Sequence, residues 1–392
     1  MLQKLKFKPG FNKQDTESGA EGQWTDGDFV RFRYGLPEKI GGWLQLTQAK
    51  KTLPGVARAQ HAFASFAGEK YAAIGTSQGL FLYYGGDFYD ISPLDTAITG
   101  GTLTTTNGSR TITINKGSHG LKKGRYVTLS GVTVTGASGY TAADLEKPYE
   151  ILTVPDVDKF TVQAATTESG SGMSAAGAVT INPYVVVGPK TQTSGFGWST
   201  STWGDSTWNT ARGTTTVTLD PGNWSLDNFG QVLVATIFDG ETFTWDASAS
   251  NPRAQRASKT TNNFSTTNNP GATRMTLVSD RDRHLFHFGT ETTIGNTGTQ
   301  DPMFVRFSDQ EDINTAGTFR LDTGNEIRAA LQGKDYVFVL TDLAAYVIQF
   351  VGPPFTFSVR QVGTNCGCIG QHAAVFINGA VYWMGAEGGF FV

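Results

Sequence analysis

Five regions of the chain repeat one pattern: an apolar strand, a short turn, then an aromatic strand. They are "KYAAIGTSQGLFLYYGGDFYDI" (70–91), "QVLVATIFDGETFTWDA" (231–247), "RHLFHFGT" with its later partner "PMFVRFSD" (283–309), "DYVFVLTDLAAYVIQFV" (335–351) and "AVFINGAVYWMGAEGGFFV" (374–392). Gly85-Gly86, Asp239-Gly240 and Asn378-Gly379 sit between apolar runs, which is the chemistry of tight hairpins. Antiparallel units recurring every 40–50 residues or so mark a β-propeller. Glycine supplies 48 of 392 residues and aromatics 12%, as many short strands and turns require. Helical periodicity is weak throughout, and "ASGYTAADLEKPYE" holds the best candidate for a short helical turn.

The repeat is interrupted at 96–183. There "GSRTITINKGSHGLKKGRYVTLSGVTV" and "KPYEILTVPDVDKFTVQAA" form strands of a different spacing, flanked by Gly, Ser, Thr and Ala. The expected organisation is therefore all-β. An N-terminal arm and first blade occupy 1–95, and a small inserted β-barrel or β-sandwich occupies 96–183. A Trp/Gly-rich connector with the remaining blades occupies 184–392. The last segment stops inside an aromatic strand, "GGFFV", whereas chain ends are commonly polar. Further blades beyond Val392, and an incomplete propeller without them, are expected on that ground.

The formal net charge is −3, which argues against a basic face gripping nucleic acid. Two cysteines, Cys366 and Cys368, cannot form a disulfide framework. The start "MLQKLKFKPGF" carries no apolar signal core, and no apolar run approaches the ~18 residues of a spanning helix. A soluble product of a reducing compartment is expected.

Several tempting chemistries have simpler structural explanations. "GTSQG" (75–79) matches the G-x-S-x-G nucleophile elbow, but that motif needs a helix after the serine. A strand follows Ser77, so a hairpin turn is expected. His284 and His287 lie three apart, on opposite faces of a strand, which is poor geometry for one metal ion. Cys366 and Cys368 lack the second ligand cluster that zinc requires. The acidic pairs Asp156/Asp158, Asp280/Asp282 and Glu311/Asp312 sit in turn-like contexts. No Walker or Rossmann glycine loop and no sialidase-type Asp-box occurs. No catalytic residue, cofactor or metal is expected.

The connector "GFGWSTSTWGDSTWNTAR" (195–212) places Trp198, Trp203 and Trp208 at five-residue intervals among small polar residues. That spacing gathers side chains on neither a helix nor a strand face, so the repeat reads as an irregular turn. Left in water, three tryptophans would expose roughly 450–750 Å² of apolar surface. The cover is either the chain itself or a neighbouring subunit, where tryptophan is enriched among hot spots. Stacking on single-stranded nucleic acid suits them less, because only Lys190 and Arg212 are near. Insertion into a lipid interface is the remaining choice. The three tryptophans are the subunit-contact candidates.

The arm "GFNKQDTESGAEGQWTDGDFVRFRYGLPEKIGGW", the Gly/Trp loop and "GNWSLDNFGQVLVATIFDGETFTWD" together resemble the β-propeller tail nozzle or hub proteins of short-tailed phages. These are also called packaged-DNA stabilisation proteins. "MFVRFSDQEDINTAGTFRL" resembles a recurrent propeller segment of that family, and the insert resembles a small β-domain that phage tail proteins carry. The resemblance implies a structural virion protein of the tail, made in the host cytoplasm. It implies a hexameric ring of copies below the portal and adaptor, continuing the DNA channel, retaining the packaged genome and passing it during ejection. Contact with DNA is then transient and not sequence-specific. A near-neutral charge suits such a conduit, since each phosphate neutralised by Lys or Arg adds affinity that would slow the genome. The alternative is another tail protein that binds a host receptor or glycan through its loops or the inserted domain.

Overall fold

In the computed structural model the described residues are 7–42, 52–134, 138–173, 176–188, 221–259, 268–279 and 281–392. The chain divides into two units, Met1–Lys51 and Thr52–Val392. The first contains one hairpin, β1 (Val30–Arg33) and β2 (Leu36–Lys39). Tyr34 and Gly35 both take positive φ at its turn, and Phe11 bridges to Trp24.

The second unit is all-β and contains five propeller blades. The first blade is a four-stranded meander: β3 (Ala57–Ala64), β4 (Lys70–Thr76), β5 (Leu80–Tyr84) and β6 (Asp87–Asp90). The β5–β6 turn is Gly85-Gly86, with φ of 60° and 92°. Such a pair suits glycine, because both residues sit in the left-handed region and their twist matches the flanking strands.

One seven-stranded sheet follows, built from β7 (Ile98–Thr105), β8 (Thr111–Asn115), β9 (Tyr126–Ser130), β10 (Pro148–Glu150), β11 (Thr153–Asp156), β12 (Lys159–Gln163) and β13 (Ala176–Pro183). A single-turn helix, α1 (Ala142–Leu145), lies between β9 and β10. The strand order is β10-β9-β13-β7-β8-β12-β11. The two edge strands, β10 and β11, are thus consecutive in the chain and separated only by Ile151 and Leu152. A chain advances at most ~3.6 Å per residue, so the edges must come together and the sheet must curl. The linking residues bond to both sides: Ile151 N–H donates to the Arg125 carbonyl and Leu152 N–H to the Thr161 carbonyl, each at 2.9 Å. The result is a curled half-barrel around Leu103, Ile114, Val127, Leu129, Phe160 and Val162, not a two-sheet sandwich. At its base Leu94 bridges to Tyr184, so the strands entering and leaving this sheet run side by side.

Four more blades follow. The second is β14 (Trp224–Phe229), β15 (Val232–Ile237), β16 (Thr242–Asp246) and β17 (Ser258–Lys259). The third is β18 (Met275–Val278), β19 (Leu285–Phe288), β20 (Phe304–Ser308) and β21 (Thr315–Arg320). The fourth is β22 (Ile327–Gln332), β23 (Val337–Thr341), β24 (Ala344–Phe350) and β25 (Phe357–Thr364). The fifth has three strands, β26 (Ala374–Ile377), β27 (Ala380–Met384) and β28 (Phe390–Phe391).

Blades pack face to face, so their middle strands are apolar on both sides and lose the alternation of a half-exposed sheet. Every residue of β15, β18, β19 and β23 is buried. Phe63, Tyr71, Trp224 and Trp245 fill the seam between blades one and two. Phe286, Val305, Ile327 and Tyr346 fill the next but one, and Leu340, Val381 and Trp383 join blades four and five.

Asn378-Gly379 closes β26–β27 as a two-residue turn with φ of 52° and 85°. Asp239-Gly240 does not: its loop spans four residues between β15 and β16. Gly240 N–H donates to the Ile237 carbonyl at 2.8 Å within this turn, and Gly240 also bridges to Thr273 at the start of the third blade.

Candidate functional site

Each blade repeats one meander, so the starts of the five first strands gather at one mouth of the arrangement. A cavity of ≈ 270 Å³ lies there, lined by Arg58, Asn223, Phe238, Arg274, Ile327, Arg328, Ile369 and Gln371, with Pro221 and Gly370. Arg58 is the second residue of β3 and Arg328 the second of β22. Asn223 and Arg274 immediately precede β14 and β18. Each is followed by a residue that turns into a blade seam and is buried: Ala59, Trp224, Met275 and Ala329. The buried residue fixes the strand and alternation puts its predecessor on the opposite face; all four predecessors line the cavity.

The polar lining is interlocked. Arg58 Nη1 donates to the Gly222 carbonyl at 2.7 Å, and Asn223 Nδ2 donates to Gln371 Oε1 at 3.0 Å, tying the second blade to the fifth. Arg274 is the most enclosed, with its side chain 9% exposed. Its guanidinium lies 4.9 Å from the Phe238 ring centroid, and its Nε is 3.2 Å from Asp239 Oδ1. Glu326 ion-pairs with both Arg274 and Arg328. Asp239 adopts φ 54°, a left-handed conformation that aspartate tolerates better than most residues. It also accepts from Gln300 Nε2 at 2.9 Å. Burial pushes the Asp239 carboxyl above its usual range, against the pull of Arg274 and Gln300.

The residues singled out in the sequence are elsewhere. Ser77 lies in the β4–β5 hairpin turn, where its Oγ accepts from Val56 N–H at 3.1 Å. Thr76 Oγ1 accepts from Gln78 and Gly79 N–H in the same turn. His284 and His287 are buried in the third blade, where His284 Nδ1 lies 2.7 Å from the Ser308 carbonyl and His287 Nδ1 lies 3.4 Å from Thr273 Oγ1. Cys366 and Cys368 are buried free thiols, both pushed up by burial. Asp312 accepts from the Ile313 and Asn314 N–H groups, and Asp156 from Asp158 N–H, as turn caps do. Trp198, Trp203 and Trp208 lie outside the described residues.

The outer sides of the end blades carry exposed side chains. On the fifth, Val375 pairs with Tyr382 and Met384 with Phe390, which places them with Ile377 on one side of the sheet. All five are exposed, Phe390 at 83%. The opposite side, with Phe376, Val381, Trp383 and Phe391, packs on the fourth blade. On the first blade, β3 leaves Gln60, Ala62 and Ala64 exposed on the side opposite Ala59 and Phe63, which pack against blade two.

No protein-family model matches the chain, and no curated protein does. Among solved structures, the chain is similar to the phage phi92 endosialidase, at 14% identity and a TM-score of 0.28, over 89% of this chain and 55% of that one. It is similar to apo AztD from Citrobacter koseri at 10% identity and a TM-score of 0.29, over 82% and 64% of the two chains. A third likeness is to the β-propeller domain of Myceliophteria thermophila Cps50 (Swd1), at 12% identity and a TM-score of 0.26, over 86% and 96%. The chain therefore spans between half and two-thirds of the length of the first two.

Proposed function

We propose that this chain is a structural component of a short-tailed phage tail, a nozzle or hub subunit. It assembles with copies of itself into a closed ring below the portal and adaptor, through which DNA passes. The arm, the Gly/Trp connector and the second-blade segment support the family reading by their resemblance to such proteins. What supports the assembly is the pair of exposed end faces, the fifth-blade one being equally the surface on which a further blade of the same propeller would pack. The fifth blade offers exposed Val375, Ile377, Tyr382, Met384 and Phe390, and the first offers Gln60, Ala62 and Ala64 on the same face as Ile74, Tyr83 and Phe88. An apolar face of this kind marks a protein contact. Two different faces on one chain favour a head-to-tail contact, which closes into a ring when the rotation per copy allows. Trp198, Trp203 and Trp208 supply further apolar anchors for the neighbouring copy. The role is mechanical: the ring holds the genome and then lets it through.

Cryo-EM of the purified protein tests the proposal. A closed ring with an axial channel wide enough for duplex DNA supports it, and single copies at every concentration argue against it.

A further inference from the structure

We propose that the hollow at the blade mouth is a binding site for a small oxyanion, a carboxylate or phosphate group carried on a small body. This goes beyond the tail role and does not depend on it.

Among the described residues the lining carries three guanidinium groups, Arg58, Arg274 and Arg328, and no carboxylate. Glu326 and Asp239, the acids paired with Arg274 and Arg328, are not among the lining residues. Like charges gathered around a confined volume repel one another, and the cost grows as water is excluded. A cavity whose described lining bears cations and whose paired acids lie outside that lining is stabilised when a negative group enters.

Arginine suits that task because its planar fork matches carboxylate and phosphate oxygens in a bidentate way. Arg274 is already held in place by Phe238, Asp239 and Glu326, so ordering it on binding costs little side-chain entropy.

The remaining lining defines the body of the ligand. Phe238, Ile327 and Ile369 give an apolar wall, and the Asn223 and Gln371 amides, whose oxygens already accept from Trp224 N–H and Asn223 Nδ2, add N–H donors. At ≈ 270 Å³ the space falls just below the ~300–1,000 Å³ of drug-sized sites. It takes an oxyanion or a single small ring and excludes a nucleic-acid duplex.

Isothermal titration of the purified full chain, with inorganic phosphate in one arm and glucuronate in the other, tests the site. Sodium chloride at matched ionic strength is the control. Binding is expected in at least one arm with one site per chain. Arg328→Gln is expected to weaken it by at least about tenfold, roughly the worth of one charge-assisted pair. Circular dichroism of the variant, and Arg58→Gln as a second variant, show whether the fold survives. Phosphate binding alone assigns a phosphorylated ligand and glucuronate binding alone an acidic sugar. Heats no larger than chloride in both arms, or equal affinity in both folded variants, overturn the proposal.

Discussion

Trp224 lies flat against Gly75: a Cβ placed on that glycine would sit 2.6 Å from the indole Cγ. The same indole donates through Nε1 to the Thr76 carbonyl at 2.8 Å. One side chain thus joins the first and second blades by both shape and hydrogen bonding, across a sequence gap that contains the whole seven-stranded sheet.

That contact gives the first prediction. Gly75→Ala forces an overlap that neither the strand nor the buried indole can avoid, and destabilisation of about 1–3 kcal/mol is expected. Trp224→Phe leaves the Thr76 carbonyl without its partner and costs about as much. Urea unfolding followed by tryptophan fluorescence measures both. Wild-type midpoints in both variants would show that the blades do not depend on this seam.

Glu168 organises one end of the curled sheet. Its side chain accepts from Thr105 Oγ1 at 2.9 Å, Ser138 Oγ at 2.8 Å and Gly170 N–H at 3.0 Å, and also from Gly139 N–H. Burial disfavours its charge, but the hydrogen bonds outweigh burial and hold the carboxyl below its ordinary 4.5. The folded form therefore binds its proton less readily than the unfolded chain. The stabilisation is complete above the ordinary glutamate range and drains away as pH falls through 4.5 towards the depressed value. Glu168→Gln is expected to lower stability by about 1.5–3 kcal/mol at neutral pH, with the loss shrinking below pH ~4. Thermal melts from pH 3 to pH 7 check it, and a loss that does not vary with pH would contradict it.

His287, fully buried beside Arg306, has its pKa pushed by burial and by that charge from 6.5 down to about 3. It stays neutral in the fold, while the unfolded chain takes up a proton below pH 6.5. Stability from this residue is present above pH 6.5 and falls as the pH drops towards 3, by up to about 1.4 kcal/mol per pH unit. His287→Leu removes that slope. Chemical denaturation at pH 4, 5, 6 and 7 reads it directly, and identical acid limbs in the two proteins would contradict the prediction.

The connector tryptophans separate assembly from folding. Replacing Trp198, Trp203 and Trp208 together by Ala is expected to abolish ring formation and leave the melting temperature of single copies unchanged. An unchanged ring with a lower melting temperature would place the tryptophans within their own chain. Native mass spectrometry and differential scanning calorimetry supply the two readouts.

The propeller was legible because it is written locally. Glycine-rich turns such as Gly85-Gly86 and Asn378-Gly379, and aromatic second strands such as Leu80–Tyr84, sit side by side in the sequence. The Ser77 hairpin and the turn of helix at Ala142–Leu145 were legible for the same reason. The Asp239-Gly240 hairpin was legible too, but its four-residue loop and its bridge to Thr273 of the next blade were not. The arginine-lined hollow was missed for a related reason. Arg58, Arg274 and Arg328 are far apart in the chain and meet only through the repeat. One signal was present: "ARAQ", "TRMT" and "IRAA" put an arginine before a seam residue at the start of three first strands. Aligning the blades by their first strands brings those arginines into register.

Ring assembly through the end blades is the central claim, and mass photometry of the wild type beside a Tyr382→Glu, Met384→Glu double variant tests it most directly. Both residues are exposed on the fifth blade and point away from its packed side, so the substitutions leave the fold intact. The account predicts one closed oligomer for the wild type and single copies for the variant. A wild type that stays single, or a variant that assembles as the wild type does, would contradict it.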